Sequence, residues 1–144
     1  MRTDKTLPNY AAVCRQTVTL YNKTPGRDEF HKTVFNASAF LESRKVFQEG
    51  RTGVTAANPA LLVIPQGADG QLYADPGLFD AMGDKTGFFT LRHGDKAVPG
   101  IGRDVATLTD WTALNKLPGT VTVTAADVKR GLDGEVAHIE GGGN

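Results

Sequence analysis

Three histidines (His31, His93 and His138), one cysteine (Cys14) and a scatter of carboxylates are the side chains that could hold a metal, attack a carbonyl or move a proton. Their spacing argues against each chemistry. No histidine lies within a few residues of another or of Cys14, so none forms the short ligand pair that zinc sites use. Ser38 and Ser43 sit outside any Gly-x-Ser-x-Gly turn, the setting of a serine nucleophile. Gly100-Ile101-Gly102 opens like a dinucleotide fingerprint, but it follows Pro99 and lacks the third glycine, which makes it a loop. Cys14 has Arg15 beside it, yet strand neighbours point to opposite faces, so the thiol reads as a lone buried or partly buried cysteine. Asp80, Asp84, Asp95 and Asp104 fall in turn-rich stretches where Asp bonds its own backbone, and no spacing pairs two of them for acid–base work. The expectation is a protein without catalytic residues, cofactor or metal.

Two basic clusters, Arg44-Lys45 with Arg51 and the pair Lys129-Arg130, are the positions that could touch phosphate. Sixteen Lys plus Arg against sixteen Asp plus Glu give a formal net charge of zero, so the global electrostatic footprint of a nucleic-acid binder is missing and a solvated charged face is the simpler reading. A near-neutral chain has little long-range repulsion to hold copies apart, which suits a subunit. One cysteine excludes an intrachain disulfide and fits a reducing compartment. The first ten residues carry Arg2, Asp4, Lys5 and Pro8 in place of the apolar run of a signal peptide, and the longest apolar run, 60–64, is too short to cross a bilayer; neither export nor membrane anchoring is expected.

The 144 residues, 40% hydrophobic and 22% charged, suit one domain over 1–144, and the 17 glycines and 7 prolines cut it into short pieces rich in Val, Thr, Phe and Tyr. Residues 16–21 alternate as a half-buried strand, 22–28 form a turn around Thr24-Pro25-Gly26, and 29–35 return. A bend at Asn36-Ala37 leads into 39–48, giving a three-strand meander over 16–48. The stretch 1–12 is expected to be mobile. Residues 49–87 form a loop-rich insertion: an exposed loop or arm at 50–58, a buried strand at 60–64, and a short helix started by Asp75-Pro76 and stopped by Gly83. Strands follow at 87–91, 96–98 and 120–124, and 109–117 suits a helix capped by Thr109 or Asp110 as well as a strand. The Gly-rich tail, 141–144, should be mobile. The sum is a mainly β protein, a small antiparallel β-barrel or sandwich with one or two short helices and long loops.

The stretch Thr17-Val-Thr-Leu-Tyr-Asn-Lys23 resembles the opening strand of small minor-capsid or head-completion proteins of tailed bacteriophages. Phe88-Phe-Thr-Leu-Arg-His-Gly-Asp-Lys-Ala-Val-Pro-Gly100 resembles their aromatic strand, Gly-Asp turn and short strand. Residues 121–131 with His138-Ile-Glu-Gly141 resemble their closing strands. The chain departs from that pattern over 49–85 and in lacking an aromatic after His138. The resemblance implies a virion neck subunit, a head-closure protein assembled in the bacterial host cytoplasm as a six-fold or twelve-fold ring. Its partners would be a portal or adaptor protein on one side and a tail terminator or tail tube protein on the other, with genomic DNA passing through the lumen. A tail terminator or capsid decoration protein is the nearest alternative. Arg44, Lys45, Arg51, Phe79 and Trp111 are the interface candidates, from loop placement or large apolar area. A small carbohydrate-binding or hydrolytic β-domain, with Trp111, Tyr73 and a carboxylate as sugar platform, is the alternative of another class.

Overall fold

Alternation along 16–23 sends Val18 and Leu20 to one face, and that face becomes the inside of a closed barrel. The computed structural model describes residues 10–43, 46–47, 56–57 and 60–144. After a single helical turn, α1 (Tyr10–Val13), six strands close on one another: β1 (Gln16–Lys23), β2 (Phe30–Ser43), β5 (Ala60–Pro65), β10 (Val136–Gly143), β9 (Val121–Arg130) and β8 (Lys96–Pro99), in that order and antiparallel throughout. Two short pairs lie outside the wall, β3 (Val46–Phe47) with β4 (Ala56–Ala57), and β6 (Leu72–Tyr73) with β7 (Phe88–Phe89) in parallel. The expected mainly β barrel is the observed architecture.

The expected meander over 16–48 is not what forms. The bend at Asn36-Ala37 is there, with Ala37 in the left-handed region at φ 52°, but it is a bulge inside one fourteen-residue strand. Backbone amides at the bulge find side chains instead of a neighbouring strand: Asn36 donates to Asp69 Oδ2 at 3.1 Å and Ala37 to Thr17 Oγ1 at 3.0 Å. A bulge sharpens the twist, so β2 leaves β1 and pairs beyond it with β5, from Phe40↔Val63 to Ser43↔Ala60. One strand thereby serves two sides of a small barrel.

The interior is filled by side chains, as six strands require. Val18, Leu20, Phe35, Leu62, Ile64 and Ile139 are fully buried there. One end is stoppered by the segment after β5, where Phe89 packs edge-on to Phe35 at 5.0 Å and Leu91 reaches Gly141. A helix in this cap, α2 (Pro76–Ala81), begins where Asp75-Pro76 predicts and ends before Gly83, although the Asp75 side chain makes no capping bond.

The outer face of β1 and β8 is covered as well. The crossover from β8 to β9 carries α3 (Leu108–Ala113) and a 3-10 turn (Leu114–Lys116), which settles 109–117 as helical. Its cap is Thr107, two residues earlier than expected: Thr107 Oγ1 accepts from the Asp110 amide at 3.1 Å, and Asp110 Oδ2 accepts from the Thr107 amide at 3.3 Å. Tyr21, Val98, Trp111 and Leu114 form the second core cluster under this crossover.

The Gly-rich tail corrects a second expectation. Residues 141–143 are not a mobile end but the last part of β10, paired with β5 on one side and β9 on the other. At Gly143 the Thr122 backbone, and at Gly141 the Leu91 side chain, come too close for a side chain. Of the expected N-terminal stretch 1–12, residues 1–9 lie outside the described residues. So does the arm expected at 50–58, apart from the backbone of Ala56–Ala57.

Candidate functional site

Inward-facing positions continue past Leu20 to Asn22, at the end of β1 where the cap closes the barrel. A polar residue placed there must find partners or lose free energy. Asn22 Nδ2 donates to the Thr90 carbonyl and to Asp95 Oδ2, both at 2.8 Å. Asp95, 1% exposed, also receives the Arg92 amide at 3.0 Å and the Lys23 amide at 3.3 Å. Burial pushes its carboxyl up to about 6, while these donors pull the other way. The sequence placed Asp95 in a turn bonding its own backbone; it does bond Arg92, but it also ties the cap to β1.

The same segment is pinned to α2 by a two-pronged ion pair. Arg92 Nη1 and Nη2 each lie 2.7 Å from an oxygen of Asp80, and the guanidinium beside it holds the Asp80 carboxyl below its ordinary value. Asp80→Ala is expected to lower stability by about 2 kcal/mol in urea unfolding, because it strips both charged bonds from a partly buried arginine. Arg92 Nε is buried without a hydrogen-bond partner, but both ends of the guanidinium and both oxygens of Asp95 are engaged, so the network acts as a clamp.

Across the barrel wall, Lys96 is buried under the crossover. Its Nζ lies 4.8 Å from the centre of the Trp111 ring and donates to Asn115 Oδ1 at 2.8 Å and to the Trp111 carbonyl at 3.3 Å; burial lowers its pKa. Phe30 packs on the tryptophan with the ring centres 5.4 Å apart. Trp111, 8% exposed, therefore supplies buried area, and Tyr73 packs on Phe89 in the other cluster, so the two rings share no exposed sugar platform.

The histidines are as separate in space as in sequence. His31 Nε2 lies 3.0 Å from the Phe88 carbonyl, and burial lowers its pKa; His93 Nδ1 lies 3.1 Å from the Thr124 carbonyl; His138 Nε2 lies 2.9 Å from Glu140 Oε2. Among the described residues no three His, Cys, Asp or Glu side chains converge. A cleft of about 130 Å³ between His31, Phe79 and Lys85 is well below the size of ordinary small-molecule sites. Cys14 is buried, within 3.9 Å of the Val63 carbonyl, and burial pushes its thiol up to about 11, far from a reactive thiolate. No helix among the described residues is long and apolar enough to cross a membrane.

Of the interface candidates, Arg44, Lys45 and Arg51 lie outside the described residues. Phe79 and Trp111 are within the chain, at 1% and 8% exposure, because the apolar stripe of a short helix covers its own barrel first. The apolar groups that do face solvent are others. Leu132 is fully exposed at the tip of the β9–β10 hairpin, Ile101 is 74% exposed, and Leu78 and Leu108 stand out from α2 and α3. Ile101 borders a groove of about 400 Å³ that also includes Pro99, Arg103, Leu117 and Pro118. Sequence reading passed over Leu132, an apolar residue between Gly131 and Asp133-Gly134 that has no strand face to serve.

One family model covers this whole arrangement, from Val13 at the end of α1 through the last residue of the chain: a family of unknown function (DUF6751), matched over residues 13–144. The chain belongs to this family. The DUF6751 match takes in all six wall strands, the cap and the crossover, so barrel and family are coextensive. No curated protein and no solved structure matches the chain.

Proposed function

We propose that this chain is a noncatalytic structural subunit of a tailed-phage particle, a head-closure ring subunit that self-associates and docks to portal-side and tail-side partners. The observation that carries this reading is where apolar surface remains. Phe79 and Trp111 are spent on the fold's own core, while Leu78, Ile101, Leu108 and Leu132 stand exposed on loops, short helices and a hairpin tip, positions suited to meeting other chains. The three stretches that resemble head-completion proteins support it too. They belong to β1, the β7–β8 segment and β9 with β10, and β1, β8, β9 and β10 are consecutive in the barrel wall.

Light scattering over a concentration series, repeated with tail-less capsids that carry their portal, tests the reading. A ring-sized oligomer or stoichiometric capture by those capsids is expected. A monomer at every concentration that also ignores capsids would overturn it. Capture by isolated tail tubes or by a portal-free capsid lattice would move the chain to a tail-terminator or decoration position.

A further inference from the structure

Two exposed apolar features lie at opposite ends of the barrel. β1 and β5 run in the same direction, since each is antiparallel to β2. The β9–β10 hairpin turn, 131–135, lies at the end where β5 finishes, because His138 pairs with Pro65. The groove beside Ile101 follows Pro99, which pairs with Val18 near the start of β1. The hairpin also projects. β8 meets β9 only at Lys96↔Thr122 and Ala97↔Val121, and Thr124, Ala125, Ala126 and Asp127 beyond are exposed.

Each feature carries both signs, with acids in excess at the hairpin tip and bases in excess at the groove. Asp133 and Glu135 follow Leu132 and outnumber the one cation that reaches the tip, Arg130, whose Nη1 donates to the Gly134 carbonyl at 3.1 Å, while Lys129 pairs with Asp127; neither acid has an ion-pair partner among the described residues, and the Asp133 carboxylate accepts the Glu135 amide. The groove holds Arg103 on its rim, and Lys116 extends from the adjoining turn after α3. Of the acids nearby, Asp104 pairs with Lys32 at 2.9 Å and Asp110 caps α3, which leaves the bases in excess there.

We propose that the contact between copies of this chain is head-to-tail: Leu132 of one copy seats in the groove beside Ile101 of the next, with Asp133 and Glu135 facing Arg103 and Lys116. This rests on the ring reading above and deepens it by naming the surface. Unlike surfaces at opposite ends make a heterologous contact, and such contacts close into a ring when the rotation per subunit permits. The tip's apolar side chain supplies area and its carboxylates supply register and direction.

Leu132→Cys and Ile101→Cys, made singly and together, test this with a short bis-maleimide; buried Cys14 leaves a clean background. A mixture of the two single variants should give a covalent dimer that neither gives alone, and the double variant should give a ladder running past the dimer. Leu132→Asp should keep the wild-type melting temperature, because the side chain touches nothing in the monomer, yet weaken assembly about tenfold or more. Cross-linking of Leu132→Cys with itself, or a double variant that stops at dimer, would overturn the head-to-tail contact. So would a wild-type ring whose cysteine variants never cross-link, and that result would leave the ring reading standing. A wild type that stays monomeric and ignores capsids would take both down.

Discussion

Asp95→Ala should cost about 5 kcal/mol near pH 4 and about 2 kcal/mol near pH 7. At the lower pH the native carboxyl is neutral and well bonded. Its removal takes one of two partners from the Asn22 amide and the side-chain partner from the Lys23 and Arg92 backbone amides, and each lost bond at a buried donor costs about 1–3 kcal/mol. The pH dependence follows from the raised pKa. An acid whose folded value is about 6 stabilises the fold fully below its unfolded value of 3.8. That contribution drains away as pH rises through 6, because the unfolded chain ionises first; two units and a little more amount to about 3 kcal/mol. The wild type has therefore already lost by pH 7 much of what the substitution would remove. Asp80, whose value is lowered, acts oppositely: its contribution is present above 3.8 and lost as pH falls below it. Subtracting the variant's urea stability from the wild type's at each pH isolates Asp95. A difference that stayed constant or grew from pH 4 to pH 7 would mean that the three donors outweigh burial and the carboxylate is ionised throughout.

The barrel was legible where a single strand face carried the signal. Val18 and Leu20 alternate with Thr19 and Tyr21, Val121 and Val123 alternate with threonines, and 60–64 is continuously apolar; each of these became a wall strand. It was illegible where tertiary contact overrode local preference. Asn36-Ala37 looks like a turn, and its backbone does turn, but Asp69 and Thr17 hold the displaced amides and the strand continues. Thr19 and Tyr21 should face solvent by alternation; both are buried because the crossover lies over them, with Thr19 Oγ1 donating to the Gly100 carbonyl and Tyr21 Oη to the Arg103 carbonyl. That second layer is also why Trp111, chosen for its area, had none left to offer. Loop placement and residue size say which side chains are large. Only the fold says which of them remain uncovered, and it leaves Leu132 and Ile101 rather than Phe79 and Trp111.

Glycine at the end of β10 gives the other large effect, and three adjacent residues separate it from mere tail flexibility. A Cβ on Gly143 would run into the Thr122 carbonyl, and backbone cannot swing aside as a side-chain end can. That carbonyl also accepts the Asn144 amide at 3.1 Å, while the Thr122 amide donates to the Asn144 carbonyl at 2.9 Å, so the clash falls on a paired ladder. Gly143→Ala should cost about 3 kcal/mol, the upper part of the range for overpacking a close-packed site. At Gly141 the added carbon meets Leu91 Cδ2 at 2.9 Å, a flexible tip, and about 1 kcal/mol is expected as Leu91 shifts within the stopper. At Gly142 the nearest atom is the Ala60 carbonyl oxygen at 3.9 Å, an ordinary contact, so alanine there should be neutral or stabilise by up to about 0.5 kcal/mol by restricting the unfolded chain. A mobile tail would return three values near zero. The uneven series, large at 143, small at 141 and absent at 142, is what a strand threaded between β5 and β9 requires, and urea unfolding of the three alanine variants reads it directly.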